Sequence, residues 1–226
     1  MQFFDRLVME TEAERNSLLS APIIARCFSG DITLKDYLDF LTQAFHHVRH
    51  TVPLMMAVGA RLPQDKEWMR EAVAEYIEEE IGHQEWILND IAVCGGDKEA
   101  ARHSQPAQAT ELMVAYAYDM INRINPLGFF GMVHVLEGTS INMADRIADA
   151  VRTTLNLPKK AFSYLYSHGS LDQDHVQFFE NLMNRIEDRA EQDLIIHSCK
   201  VFYRLYGDIF RGLGGNVEAV PLLRSA

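Results

Sequence analysis

Apolar residues recur every three to four positions along nearly the whole of this 226-residue chain. Nowhere does the sequence alternate apolar and polar residues with the period of two that a half-buried strand requires. From Phe3 to Leu19 the apolar stripe is Phe4, Leu7, Val8 and Leu18, and a short segment, Ala21 to Phe28, follows. Thr33 stands as an N-cap with Asp36 three residues on, ahead of Tyr37, Phe40, Leu41, Ala44, Val48, Thr51 and Met55 at helical spacing. Pro53 should kink this second helix, because it has no backbone N–H to donate. A third helix runs roughly from Asp65 to Val93 and stops at Cys94-Gly95-Gly96. Further helices are expected from Pro106 to about Arg123, from Asn125-Pro126 to about Leu155, from Pro158 through Met183, and from about Asp188 to Gly212. The expectation is an all-α, single-domain bundle of about seven or eight helices over residues 1–213, with residues 214–226 as an irregular tail.

The charge balance narrows the partners. A formal net charge of −11 argues against nucleic acid or an anionic membrane surface, since phosphate binding needs clustered Lys and Arg. Small molecules or proteins are the expected partners. Cys27, Cys94 and Cys199 are widely spaced and odd in number, which reads as reduced, buried thiols in a cytoplasmic protein. No apolar run approaches the length of a membrane span, and no signal peptide is read at Met1 to Met9.

Four groups of residues can carry chemistry. His168, Asp172 and His175 fall at i, i+4 and i+7, so a helix would project all three from one face. Two imidazoles and a carboxylate so placed can meet one metal ion, or they can form a solvated polar face. Glu80 and His83 lie one helical turn apart on a stripe that also holds Tyr76, Ile77 and Ile87. Charged groups on an apolar stripe need partners, and Glu-x-x-His facing into a bundle is an arrangement used by carboxylate-bridged di-iron and di-manganese sites. The other reading makes Glu78, Glu79, Glu80 and Glu85 one solvated acidic face. Glu137 shares a face with Phe130, Val133 and Ile141 in a segment nearly free of other charge, and a metal is the simplest partner for it. His134 reads better as a core histidine. On the second helix His47 lies nearest the apolar stripe, as a ligand or as a proton donor behind one, whereas His46 and His50 are expected to be exposed. The chain has no phosphate-binding Gly-x-x-x-x-Gly-Lys-Ser/Thr loop, no strand followed by Gly-x-Gly-x-x-Gly, and no Gly-x-Ser-x-Gly.

Taken together, the helix order and these motifs resemble the haem-oxygenase-like fold over roughly Phe4 to Leu213. That superfamily includes haem oxygenases, TenA-type thiaminases, the PQQ-synthesis oxidase and di-iron oxidases. The spacing His168-x3-Asp172-x2-His175 resembles the last ligand helix of the di-iron branch. By that resemblance Glu80, or secondarily Glu79, with His83, Glu137, His168, Asp172 and His175 would bind two iron ions, or iron with manganese. Some members place a carboxylate where this chain has Tyr76, and the carboxylate often found on the second helix is replaced here by His47. The implied activity is a non-haem oxidoreductase using O2 on a small organic substrate, with Tyr76, Trp86, Phe130, Tyr164 and His47 as pocket neighbours. TenA-type thiaminases use a cysteine on the helix that here carries Val133 to Thr139, where none is present, and haem oxygenases take a histidine from the first helix, which Met1 to Leu19 lacks. The rival readings are a metal-free TenA-like hydrolase acting on an aminopyrimidine, with Glu137, Tyr164 and Asp172 holding the substrate, and a non-catalytic ligand carrier. The resemblance is also consistent with a homodimer.

Overall fold

The computed structural model describes residues 1–170 and 172–214, and the backbone alone for residues 142, 168–170 and 172–175. Regular structure among the described residues is entirely helical, as the periodicity predicts. It falls into thirteen α-helical segments, where seven or eight helices were expected. The difference arises because several predicted helices are interrupted. The first is α1 (Phe3–Glu10) and α2 (Glu12–Leu19), separated at Thr11, whose ψ of 5° leaves the helical range. After α3 (Pro22–Ser29), the second predicted helix divides into α4 (Leu34–Val48) and α5 (Thr51–Arg61). The break lies at Arg49-His50 and not at Pro53. Pro53 sits in the first turn of α5, where an N–H would have no intrahelical acceptor. The third divides into α6 (Glu67–Glu80) and α7 (His83–Val93).

One short helix was not foreseen: α8 (Lys98–His103), capped by Asp97, whose carboxylate accepts from the backbone of Glu99 at 3.0 Å and Ala100 at 2.9 Å. Then come α9 (Gln108–Asp119), a π-helical turn at Met120–Ile124, and the long α10 (Phe129–Leu155). The remaining segments are α11 (Ser163–Ser170), α12 (Asp172–Asn184) and α13 (Arg189–Gly212). The predicted tail, beyond Gly214, lies outside the described residues. No described helix is long and apolar enough to cross a membrane.

The core is centred on α10, which packs against α13 and α11 and also touches α3 and α12. Phe130, Phe162, Phe202 and Tyr203 are buried there, each such ring contributing roughly 1.5–3 kcal/mol by leaving water. The α10–α13 crossing is close because Gly131 has no side chain: a Cβ on it would lie 2.6 Å from the Cys199 backbone nitrogen. Ser198 on α13 fastens the crossing by donating its hydroxyl to the Gly128 carbonyl at 2.7 Å. At the start of α4 the predicted cap forms as a reciprocal box, with Thr33 Oγ1 accepting from the Asp36 N–H and Asp36 accepting from the Thr33 N–H. Burial opposes charge on Asp36, but the Thr33 hydrogen bonds and the Arg26 guanidinium, 2.7 Å away, hold its carboxyl below the usual range.

The crossing yields a prediction. Gly131→Ala should lower unfolding stability by about 1–3 kcal/mol, since backbone atoms of α13 must move to admit the methyl group. Urea denaturation should show a lower midpoint with an unchanged slope.

Candidate functional site

The site begins at a helix break. Gly82 adopts φ +96°, a left-handed conformation that glycine enters without a Cβ clash, and Ile81 before it is extended. Helix α6 therefore ends at Glu80 and α7 begins at His83. The sequence reading placed these two residues on one continuous helix, and the structure corrects this: they flank a turn. They still meet, with His83 Nδ1 3.1 Å from Glu80 Oε2. An ionised carboxylate only accepts, so Nδ1–H donates, and the tautomer this selects for a neutral ring carries its lone pair on Nε2. The buried His83 ring lies against Trp86, ring centres 4.1 Å apart.

Glu80 and His83 open onto a cavity of about 70 Å³. Glu137 from α10, His47 from α4, Tyr164 from α11 and Tyr206 from α13 line it as well, with walls of Met55, Phe129, Met132 and Val133. Of the adjacent acidic residues it is Glu80 that turns in, while Glu79 is exposed on the helix. His47 is buried, its ring edge-on to Tyr206 at 5.8 Å. Tyr76 is buried on α6 with its ring edge-on to Phe178 at 5.4 Å; burial, then the Glu137 and Glu79 carboxylates, push its ionisation far up. Tyr164 is raised in the same direction by burial first, with Tyr206 and Glu80 adding to it. Both phenols are therefore O–H donors at neutral pH. Phe130 packs in the core, and it is its neighbour Phe129 that lines the cavity. Trp86 is partly exposed on the outer side of His83. His168, Asp172 and His175 lie outside the residues whose side chains are described.

Sequence reasoning missed Asp90. It is completely buried on α7 and caps α11 from a different helix, accepting from the backbone of Ser163 at 3.1 Å and of Tyr164 at 2.9 Å, and from the Ser163 hydroxyl at 2.5 Å. Burial raises its carboxyl despite these hydrogen bonds. Asp90 thus sets where Tyr164 enters the cavity. The only sequence signal was an Asp on a helix otherwise apolar from Ile87 to Val93 apart from Asn89. His46 and His50, expected to be exposed, are not. His46 is buried, 2.8 Å from the Ser104 hydroxyl, and the half-buried His50 lies 3.1 Å from the Tyr118 hydroxyl. The end of α8 covers the first of these rings and α9 meets the second. His134 is a core histidine among Phe4, Phe179 and Tyr203.

Glu80, His83 and Glu137 offer hard oxygen and imidazole nitrogen donors on one small buried cavity, a donor chemistry that fits iron or manganese. Among the described residues no group of three or more His, Cys, Asp or Glu side chains is close enough to hold an ion alone. A complete site would draw on α11 and α12, both packed on α10.

Comparison with known proteins agrees with the fold. Residues 38–207 match the family described as iron-containing redox enzyme, of haem-oxygenase type, and the chain belongs to that family. Among solved structures it is similar to a domain of unknown function with a haem-oxygenase-like fold from Shewanella denitrificans, with TM-score 0.84, 23% identity, and coverage of 93% of this chain and 91% of that one. A TenA homologue from Pseudomonas syringae pv. tomato superposes with TM-score 0.77 at 10% identity, covering 93% and 91% of the two chains. Haem oxygenase from Leptospira interrogans gives TM-score 0.73 at 17% identity, covering 94% and 100%. No curated protein sequence matches the chain.

Two predictions follow from the site's supports. Asp90→Ala leaves buried donors of Ser163 and Tyr164 unpaired and should lower stability by about 1–3 kcal/mol, with amide exchange in α11 accelerating more than in α13. Burial holds His134 and His46 at about 4, with Arg15 adding to the effect on the first and Arg49 and His50 on the second. A folded value below the unfolded one, near about 6.5, favours the neutral ring in the native state. Stability should be fully present above about pH 6.5 and decline as pH falls toward about 4. Denaturant titrations across that window should show the slope, reduced in a His46→Gln/His134→Phe variant.

Proposed function

We propose that this protein is a non-haem oxidoreductase that binds iron, as two ions or as iron with manganese, and uses O2 on a small organic substrate. The observation carrying the reading is that Glu80, His83 and Glu137, from three different helices, line the same buried cavity. Membership of a family described as iron-containing redox enzymes supports it. His168, Asp172 and His175, on the neighbouring α11 and α12, complete the proposed ligand set. When bound, iron supplies the one-electron chemistry toward O2 that protein side chains lack.

The chain's own groups do the rest. Glu80 fixes the His83 tautomer so that Nε2 presents its lone pair. Tyr76, held in its neutral phenol form by burial and by the Glu137 and Glu79 carboxylates, keeps a proton beside Glu137. Tyr164 and Tyr206, kept neutral by burial, hold protons at the cavity wall, and His47 is a third polar group on the same wall. Met55, Phe129, Met132 and Val133 exclude water, which strengthens every polar interaction inside.

The rival is a metal-free TenA-like hydrolase, favoured by the likeness to a TenA homologue and by the phenols beside Glu137, which could hold an organic ring. Cys27, Cys94 and Cys199 do not line this cavity, so it offers no thiol nucleophile. The third reading is a ligand carrier, which would bind metal without consuming O2.

Metal analysis of the purified protein distinguishes these. The metal reading expects stoichiometric iron, lost in Glu137→Gln and His83→Gln by more than the about 10–100-fold in affinity typical of outer-shell changes. Wild type with no iron, or variants with unchanged iron, would contradict it, and a co-purifying aminopyrimidine would favour the hydrolase.

A further inference from the structure

Glu137 also lines a second and larger cavity, of about 280 Å³, walled by α1, α2, α10, α12 and α13. Its size is near the lower edge of the about 300–1,000 Å³ range of small-molecule pockets. Phe4, Val8, Ile141 and Phe179 give it apolar walls. Glu137 lines both cavities, so the larger one abuts the proposed active site. A Cβ built on Gly138 would meet no atom within 4 Å, so this stretch of α10 lies open to whatever fills the space.

The cavity has one cationic side chain among its described lining residues, Arg15 of α2. Arg15 forms no ion pair among the described residues, and its Nε is buried without a hydrogen-bond acceptor. Elsewhere the described arginines on this face are satisfied: Arg6, one helix earlier, bonds Glu10, Gln192 and Asp193. A half-buried guanidinium facing a cavity, with a donor lacking an acceptor, calls for an anion from outside the chain. His134, also on the lining, is kept neutral by burial and then by Arg15, and contributes no charge. Glu137, on the same lining, repels an anion, so the charge of the lining draws an anion to Arg15.

We propose that this cavity is the substrate-binding arm of the active site and takes a small monocarboxylate, its carboxylate on Arg15 and its apolar body along Phe4 and Phe179 toward Glu137. The assignment of the cavity as a substrate arm rests on the oxidoreductase reading, whereas carboxylate binding by Arg15 does not. Charge orients the ligand: the carboxylate is drawn to Arg15 and away from Glu137, which presents its carbon–hydrogen end to the proposed metal cavity.

The test is calorimetric titration of the metal-free protein with benzoate, phenylacetate and hexanoate, each compared with its neutral primary amide. At least one carboxylate should bind tenfold or more tighter than its amide. Arg15→Gln should abolish that preference and Arg15→Lys should retain part of it. Gly138→Leu, which fills open space without touching Arg15, should weaken acid and amide alike by at least tenfold. Carboxylates that bind no better than amides to wild type, or a preference that survives Arg15→Gln, would overturn the proposal. Iron content of the same preparations separates the two readings. Arg15-dependent binding in a protein that takes up no iron would overturn the metal reading alone, and iron uptake without carboxylate preference would overturn this one alone.

Discussion

Everything in this bundle depends on how closely α10 lies against α13. Gly131 lets the two backbones touch, and the Ser198 hydroxyl bonded to the Gly128 carbonyl fixes their register. From that anchor α10 runs on as a rigid rod, placing Glu137 just under two turns beyond Gly131 and between two cavities. A bulkier residue at the crossing would displace the helix that carries the carboxylate, so packing and site geometry are coupled at one position.

The rest of the site is built from helix ends. Gly82 breaks the α6–α7 rod and brings the end of one helix and the start of the next to the cavity, so that Glu80 and His83 meet across a turn. Asp90, about two turns beyond His83 along α7, gives up solvent entirely to cap α11 and thereby aims Tyr164 at the same space. Helix ends carry unsatisfied backbone groups that must be bonded by something. Here those bonds, made by a buried carboxylate, also position side chains, which ties the stability of α11 to the shape of the cavity.

The sequence made the fold class legible because periodicity survives a break: Met69, Val73 and Tyr76 on α6 and Ile87 and Ile91 on α7 are buried whether or not one helix continues through both. Of the breaks, only the one at Gly82 carries a local signal. Thr11 and Arg49-His50 carry no glycine or proline, and Pro53, which does look like a breaker, is harmless in a first turn. The inward placement of Glu137 could be read from its stripe, whereas Glu80 and His83 meet across a turn and not along one helix, and the burial of His46 and His50 comes from Ser104 and Tyr118, more than fifty residues away. Asp90 escaped notice because its partners are 73 and 74 residues away, and nothing local marks a cap supplied by another helix. Arg15 likewise lines a cavity that nothing in its stretch of sequence marks, because the other walls come from α10, α12 and α13.

The central claim is that Glu80, His83 and Glu137 contribute to a non-haem iron site within this bundle. X-ray absorption at the iron edge, on protein loaded anaerobically with Fe(II), tests it most directly. The account predicts a first shell of nitrogen and oxygen only, with the outer scattering of coordinated imidazole, and loss of part of that imidazole signal in His83→Gln. Iron that stays in solution, a sulfur-containing shell, or a spectrum unchanged in the variant would contradict it.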